Sequence, residues 1–325
     1  MKVGVLGAGY ISEAHIAALK NIPGAEILIC DRKEEKANAY AEKYGITPRT
    51  NYSEMLKNDR PDVVSLCVPT PQHAALTCEA LQLGIPVLCE KPIAHTVEEG
   101  ILMDKTAKET GTPLMIAHCL RFDKTAVTLK NIIADKRFGN LLSLHLYRHS
   151  TIPTWSAGDW LRQTNKSGGA IIDLHIHDSD LVQYFLGLPD AVTTVGDELH
   201  CSTLYHFGSS MDVSAETSWR KVPSFPFSSG IDASFEEATI RLAGSSLNVY
   251  RMDGGTENLI TKEPLPSYLH SDDFYENEIR YFMGRISGDK EAMEKDVCPV
   301  SESVSALHLV HSERESIRTG RTVAL

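Results

Sequence analysis

Residues 3–12, Val3-Gly4-Val5-Leu6-Gly7-Ala8-Gly9-Tyr10-Ile11-Ser12, constrain the fold more than any other stretch. A short apolar run enters two glycines one residue apart, and a helical pattern leaves them. Strand, glycine turn and helix start in that order form a phosphate-binding corner. Gly7 permits the tight turn, and Gly9 lets a pyrophosphate approach the backbone. A helix opening at Tyr10 and Ile11 aims unpaired N–H groups at the phosphates. Ser12 stands where the third glycine of G-x-G-x-x-G belongs. Alone, the two glycines are also compatible with a tight turn in any α/β protein.

Asp31 strengthens the reading. It ends the second apolar run, 22 residues past Gly9, where a carboxylate meets the adenosine ribose hydroxyls of a dinucleotide. The plain alternative is a helix N-terminal charge ahead of Glu34-Glu35. A carboxylate there repels a 2′-phosphate and favours NAD. Arg32, able to stack on adenine or bind that phosphate, leaves NADP open.

To about residue 120, apolar runs at 3–6, 25–30, 63–68, 86–89 and 114–117 alternate with helical stretches at 11–20, 34–44, 53–58, 73–83 and 96–110. Thr96-Val97-Glu98-Glu99 reads as a capping box. Near-continuous apolar strands separated by helices specify a parallel sheet covered on both faces. Residues 1–120 are therefore expected to form a doubly wound α/β Rossmann domain. Beyond them the period changes. Residues 141–149 alternate with period two, as in a sheet with one covered face. Further antiparallel strands are expected near 191–199, 202–207, 210–219, 233–242 and 246–251. Helices are expected at 122–134, 171–186, 272–285 and 301–318, and a loop at 223–230. Residues 121–325 thus read as an α+β domain on a large, open-faced, mostly antiparallel sheet, with the last helix free to pack back on the first domain.

The length of 325 residues suits two cores. A formal net charge of −11 argues against nucleic acid as a partner. No apolar run approaches the roughly 20 residues needed to span a bilayer. The seven cysteines show no C-x-x-C spacing, and no secretory leader is evident, so a cytoplasmic location is expected.

Four further segments carry a resemblance. They are Cys67-Val68-Pro69-Thr70-Pro71-Gln72-His73, Cys89-Glu90-Lys91-Pro92, Leu120-Arg121-Phe122, and Ser167-Gly168-Gly169-Ala170-Ile171-Ile172-Asp173-Leu174-His175-Ile176-His177-Asp178. In this order behind a glycine motif, the chain resembles the glucose–fructose oxidoreductase / inositol dehydrogenase / MocA family. Members are mostly NAD(P)-dependent dehydrogenases of sugars, cyclitols and their acids, commonly dimers or tetramers joined through the second sheet. The resemblance implies that Pro69, Thr70 and His73 line the cofactor near the nicotinamide ribose. It puts Glu90 and Lys91 at the nicotinamide end, with a cis Lys91-Pro92 bond. It matches Lys91, Asp173 and His177 to the family's catalytic lysine, aspartate and histidine.

The residue types suit that chemistry. Oxidising a secondary alcohol requires a base for the hydroxyl proton, and a histidine titrates near neutrality. His177 is the candidate base, and Lys91 the group that stabilises a developing alkoxide. Asp173, four residues before His177, would share its face of a helix and orient the histidine, the lysine or the substrate. Arg121, Trp155 and Trp160, with Phe122 and Arg162, could wall a sugar cleft; the alternative is packing. Asp173, His175, His177, Asp178 and Asp180 resemble metal ligands. However, histidines two residues apart cannot face one way on a helix, and no metal is expected. Two other functions compete with a dehydrogenase: a non-catalytic dinucleotide-binding regulator and an NAD-assisted glycosidase.

Overall fold

The computed structural model describes all residues except Trp155, Ser209 and 260–264. They form two compact units. The first takes in Met1–Phe122, a short stretch ending at Trp160, and Ser267–Val304; the second takes in the remainder.

The sheet of the first unit contains β1 (Lys2–Leu6), β2 (Glu26–Cys30), β3 (Thr47–Arg49), β4 (Val63–Leu66), β5 (Val87–Glu90) and β6 (Leu114–Ala117). All neighbours are parallel, in the order β3-β2-β1-β4-β5-β6. Every residue of β4 and β5 is buried, as a strand covered on both faces requires. Strand order reverses between β1 and β4, which opens a crevice at their carboxyl ends. The capping box forms: Thr96 Oγ1 accepts the Glu99 N–H at 3.2 Å, and Glu99 Oε2 accepts the Thr96 N–H at 3.1 Å. Sequence reading passed over β3, where Pro48 interrupts the strand pattern. β3 is an edge strand, so the missing N–H is tolerated there.

The expected boundary near 120 lies close to the end of Met1–Phe122, but the first unit also recruits Ser267–Val304. Within that segment, helix Phe274–Ser287 buries Ile279, Tyr281, Phe282 and Met283 and packs on helix Tyr10–Lys20. Chain order could not show that this amphipathic face belongs to the first core.

The second unit is built on β7 (Leu141–His149), β8 (Ala191–Asp197), β9 (His200–His206), β10 (Asp212–Ser218), β11 (Ser228–Phe235), β12 (Ala238–Ala243), β13 (Ser246–Arg251), β14 (Thr256–Asn258) and β15 (Val323–Ala324). Their order is β14-β13-β12-β11-β7-β10-β9-β8-β15. The pair β10–β7 is parallel and the others antiparallel. Leu144, Leu146 and Arg148 of β7 are buried on one face, while Ser143, His145, Tyr147 and His149 are only half-buried on the other. The stretch expected as one strand at 233–242 is two, β11 and β12, turning at Glu236-Glu237, which carry no glycine or proline to mark a hairpin. The end of the expected loop at 223–230 belongs to β11. Among the described residues, no helix is long and apolar enough to cross a membrane.

Candidate functional site

The carboxyl ends of β1, β2, β4 and β5 gather most of the expected cofactor residues. Gly7 lies at φ +98°, where side chains are disfavoured, and a Cβ on it would sit 2.5 Å from the Cys67 carbonyl oxygen. Its N–H donates to the Cys30 carbonyl at 2.8 Å, joining the turn to the end of β2. Gly9 differs. Its backbone is extended, and nothing lies within 4 Å of where its Cβ would be. That open space beside the start of helix Tyr10–Lys20 fits a pyrophosphate. Tyr10 is exposed and Ile11 half-buried.

Ser12 accounts for the missing third glycine. Its hydroxyl donates to the Gly9 carbonyl at 2.6 Å and accepts the Gly9 N–H at 3.1 Å. The side chain is fully buried. It fastens the glycine turn to the first turn of the helix, where a glycine would only have allowed close packing. Asp31 closes the rim: Oδ2 accepts the Ala8 N–H at 3.0 Å and Oδ1 the Lys33 N–H at 2.9 Å. The carboxylate is thus fixed beside the glycine turn, with Arg32 exposed next to it.

Past β4, Pro69 is half-buried and Thr70 is buried at the start of a short 3-10 turn. His73 is placed differently from the expectation that it lines the cofactor. It is fully buried, with Nδ1 2.8 Å from the Pro92 carbonyl and Nε2 2.8 Å from the Val68 carbonyl. Both ring nitrogens are engaged by main chain, so His73 braces the two corners after β4 and β5 from beneath. Burial lowers its pKa against the pull of those carbonyls.

Glu90 ends β5 and is buried. Its Oε1 lies 2.9 Å from His15 Nε2, and its Oε2 accepts the Lys91 N–H at 3.1 Å. The Lys91-Pro92 bond is cis, and Lys91 is half-buried. Sequence reading missed His15. Its only signal was a histidine on the buried face of the first helix.

Asp173 and His177 belong to the second unit. Gly168 and Gly169 both have positive φ, and a Cβ on Gly169 would meet the Glu198 carbonyl oxygen at 2.3 Å. The two glycines let the chain pass tightly against β8's end before helix Gly169–Asp173. The single helix expected over 171–186 is broken: a turn at Leu174 and His175 precedes helix Ile176–Leu186. The His175 N–H bonds to the Ala170 carbonyl, five residues back, and the His177 N–H to Leu174, three back. Asp173 and His177, both half-buried, therefore flank a break and do not occupy one uninterrupted helical face. The break turns His175 into the core, where Nδ1 lies 2.8 Å from Thr217 Oγ1 and Nε2 3.1 Å from Thr203 Oγ1. His175 is thus fully buried and held by the sheet of the second unit. Asp178 is committed to Arg148, whose Nε and Nη2 donate to it at 3.2 and 2.9 Å.

Arg121 also needs correction. Its side chain is fully buried, donating to the Val297 carbonyl at 3.1 Å and paired with Glu302. A guanidinium sealed in this way ties the end of β6 to the segment before helix Val300–Thr319 and does not wall a cleft. Trp160 is half-buried in a turn of the first unit, and Trp155 lies outside the described residues.

A parallel sheet reversing at a glycine turn, with a fixed acid at the end of β2, defines a dinucleotide-binding protein, here joined to a second unit on a broad mixed sheet. The chain belongs to the GFO/IDH/MocA oxidoreductase family. The model of that family's NAD-binding Rossmann fold matches residues 1–118, and the model of its C-terminal domain matches residues 126–241. The first unit is thus an NAD-binding Rossmann domain. The chain is similar to 1,5-anhydro-D-fructose reductase of Ensifer adhaerens, at 28% identity over 81% of this chain and 77% of that one. It is also similar to D-glucoside 3-dehydrogenase of Escherichia coli, at 31% identity over 58% of this chain and 55% of that one. The matched stretch spans about half the length of several other curated relatives. The WlbA dehydrogenase of Bordetella pertussis, solved with NADH and UDP-GlcNAcA, shares the fold at a TM-score of 0.81 and 22% identity, covering 100% of this chain and 97% of that one.

Proposed function

We propose that the protein is an NAD(P)-dependent oxidoreductase that moves a hydride between the nicotinamide and a secondary alcohol of a sugar, cyclitol or sugar acid. The observation that carries this reading is the glycine turn with its open Gly9 cradle and fixed Asp31, on the same sheet edge as Glu90-Lys91-Pro92. The names of the reductase and dehydrogenase relatives support the substrate class. NAD is favoured over NADP because Asp31 presents a carboxylate where a 2′-phosphate would sit. The nicotinamide, when bound, accepts or returns the hydride. Lys91 offers its ammonium to the reacting oxygen, His177 takes or gives the hydroxyl proton, and Asp173 orients these groups or the substrate. Pro69 and Thr70 border the cofactor. Trp155 and Trp160 remain candidates for the apolar face of a sugar. The chain works in the cytoplasm as a homodimer or homotetramer joined through the open face of the second sheet. The test follows NADH absorbance with cyclitols, aldoses and sugar acids, with release from aryl glycosides measured in parallel. Substrate-dependent NADH formation supports a dehydrogenase. Glycoside cleavage without net NADH supports the NAD-assisted glycosidase instead, and neither signal would leave a binding protein.

A further inference from the structure

Three polar side chains are sealed inside the first unit: His15 and Glu278 at 0% exposure and Glu90 at 6%. His15 comes from helix Tyr10–Lys20, Glu90 from the end of β5, and Glu278 from helix Phe274–Ser287, which packs on the helix of His15. His15 Nε2 is 2.9 Å from Glu90 Oε1, and Nδ1 is 2.7 Å from Ser65 Oγ, itself 3.7 Å from Cys67 Sγ. Both ring nitrogens therefore face oxygens able to accept, and the imidazolium fits without rearrangement. Neither carboxyl oxygen of Glu278 has a hydrogen-bond partner among the described residues.

A buried carboxylate with no hydrogen-bond donor to hold its charge takes up a proton. Glu278 is in that position: burial and then the charge of Glu90 hold its pKa well above the carboxylate range, against the opposing pull of His15. Burial works against charge on His15 too, but Cys67 and Glu90 outweigh it and hold the histidine well above its ordinary value. Tyr275 faces the same ring, with centroids 6.3 Å apart, and burial keeps it protonated. The cluster thus sets a cationic His15 against the Glu90 carboxylate across 2.9 Å, with a protonated Glu278 alongside. Glu90 and β5 lie in the second mononucleotide-binding half of the sheet, beside Lys91.

We propose that His15 is a positioning residue that keeps Glu90 ionised, so that this carboxylate favours the cationic oxidised nicotinamide over the neutral reduced ring and thereby sets the potential of the bound cofactor. The proposal rests on the placement of Glu90 at the nicotinamide end. His15→Gln retains an N–H for Glu90 but removes the charge, leaving a buried carboxylate with no cation beside it, a setting that favours proton uptake.

Dissociation constants of NAD⁺ and NADH, titrated on the full chain between about pH 6 and about pH 8, test it directly. Relative to wild type at each pH, the ratio Kd(NAD⁺)/Kd(NADH) in H15Q should be about 3- to 10-fold higher at the acid end and fall below wild type at the alkaline end, where the carboxylate stands without the opposing charge of the imidazolium. E90Q should raise the ratio at every pH, and it carries the test if H15Q does not fold. Glu278→Gln, neutral for neutral, should follow wild type. A folded H15Q whose ratio tracks wild type across the range overturns the proposal, as does an E90Q ratio equal to wild type. A shift in Glu278→Gln would also overturn it, because the field would then belong to Glu278. Failure of wild type to bind either nucleotide would sink the cofactor reading instead.

Discussion

Gly7 and Gly9 sit two residues apart for different physical reasons, and substitution should separate them. At Gly7 an alanine meets both a positive φ and the Cys67 carbonyl. Gly7→Ala should destabilise folding by about 2–4 kcal/mol, read as a lower urea midpoint at unchanged m-value. At Gly9 the backbone suits any residue and the added methyl enters open space. Gly9→Ala should leave stability within about 0.5 kcal/mol of wild type, yet weaken NAD binding at least about tenfold by calorimetry. Equal NAD affinity in that variant would move the pyrophosphate elsewhere. Lys91 gives a third contrast: Lys91→Ala should lower turnover about 100-fold or more with NAD affinity nearly kept. Near-normal turnover would remove it from the reaction.

Among the elements, the break at Leu174 and His175 builds a buried polar network in the second unit. Ser179 donates to Glu313 Oε1 at 2.9 Å, and Glu313 Oε2 lies 3.4 Å from His175 Nε2. Burial, aided by the nearby Arg148 charge, drives the His175 pKa down to about 3. Burial raises Glu313 to about 8, against hydrogen bonds from Ser179 and Tyr205. Near neutrality the pair is therefore a neutral imidazole and a protonated acid. The linkage signs are opposite. Between about pH 3 and 6.5 the unfolded chain binds the proton that native His175 refuses, so stability rises with pH. Between about pH 4.5 and 8 native Glu313 keeps a proton that the unfolded chain releases, so stability falls with pH. The two effects offset one another between about pH 4.5 and 6.5, and above that window the Glu313 effect stands alone. Its contribution should fall by on the order of 1–2 kcal/mol from about pH 6.5 to 8. Denaturant titrations across that range should show the decline in wild type and a decline shallower by that amount in Glu313→Gln, the remainder coming from groups such as His15 and Glu278 that shift in the same sense. An unaltered decline in that variant would assign it to another group.

For the whole molecule, the second sheet exposes Val195 of β8, Leu204 of β9 and Tyr250 of β13. In the β8–β9 register Leu204 lies opposite Thr193 and Val195 opposite Ser202, so the two exposed apolar side chains are diagonal neighbours on one face. If copies join through this face, light scattering of wild type gives a dimer or tetramer mass and Leu204→Glu lowers it. A monomeric wild type would end that reading.

The sequence by itself determined what depends on near neighbours along the chain. The glycine turn, the parallel strand pattern of 1–120, Asp31 after β2, the capping box at Thr96 and the strand alternation of 141–149 are local, and local sterics and periodicity dictate them. Tertiary structure decided what depends on partners far away in the chain. Arg121 looked free to meet a substrate until Val297 and Glu302 closed around it. His73 looked like a cofactor contact until two carbonyls took both its nitrogens. Residues 267–304 joined the first core because an apolar helix face must be buried somewhere, and chain order does not say where. The glycine turn together with Asp31 pointed to a dinucleotide as the ligand of the first unit. Only packing showed that a histidine six residues beyond Gly9, with no motif to mark it, holds the buried glutamate at the end of β5.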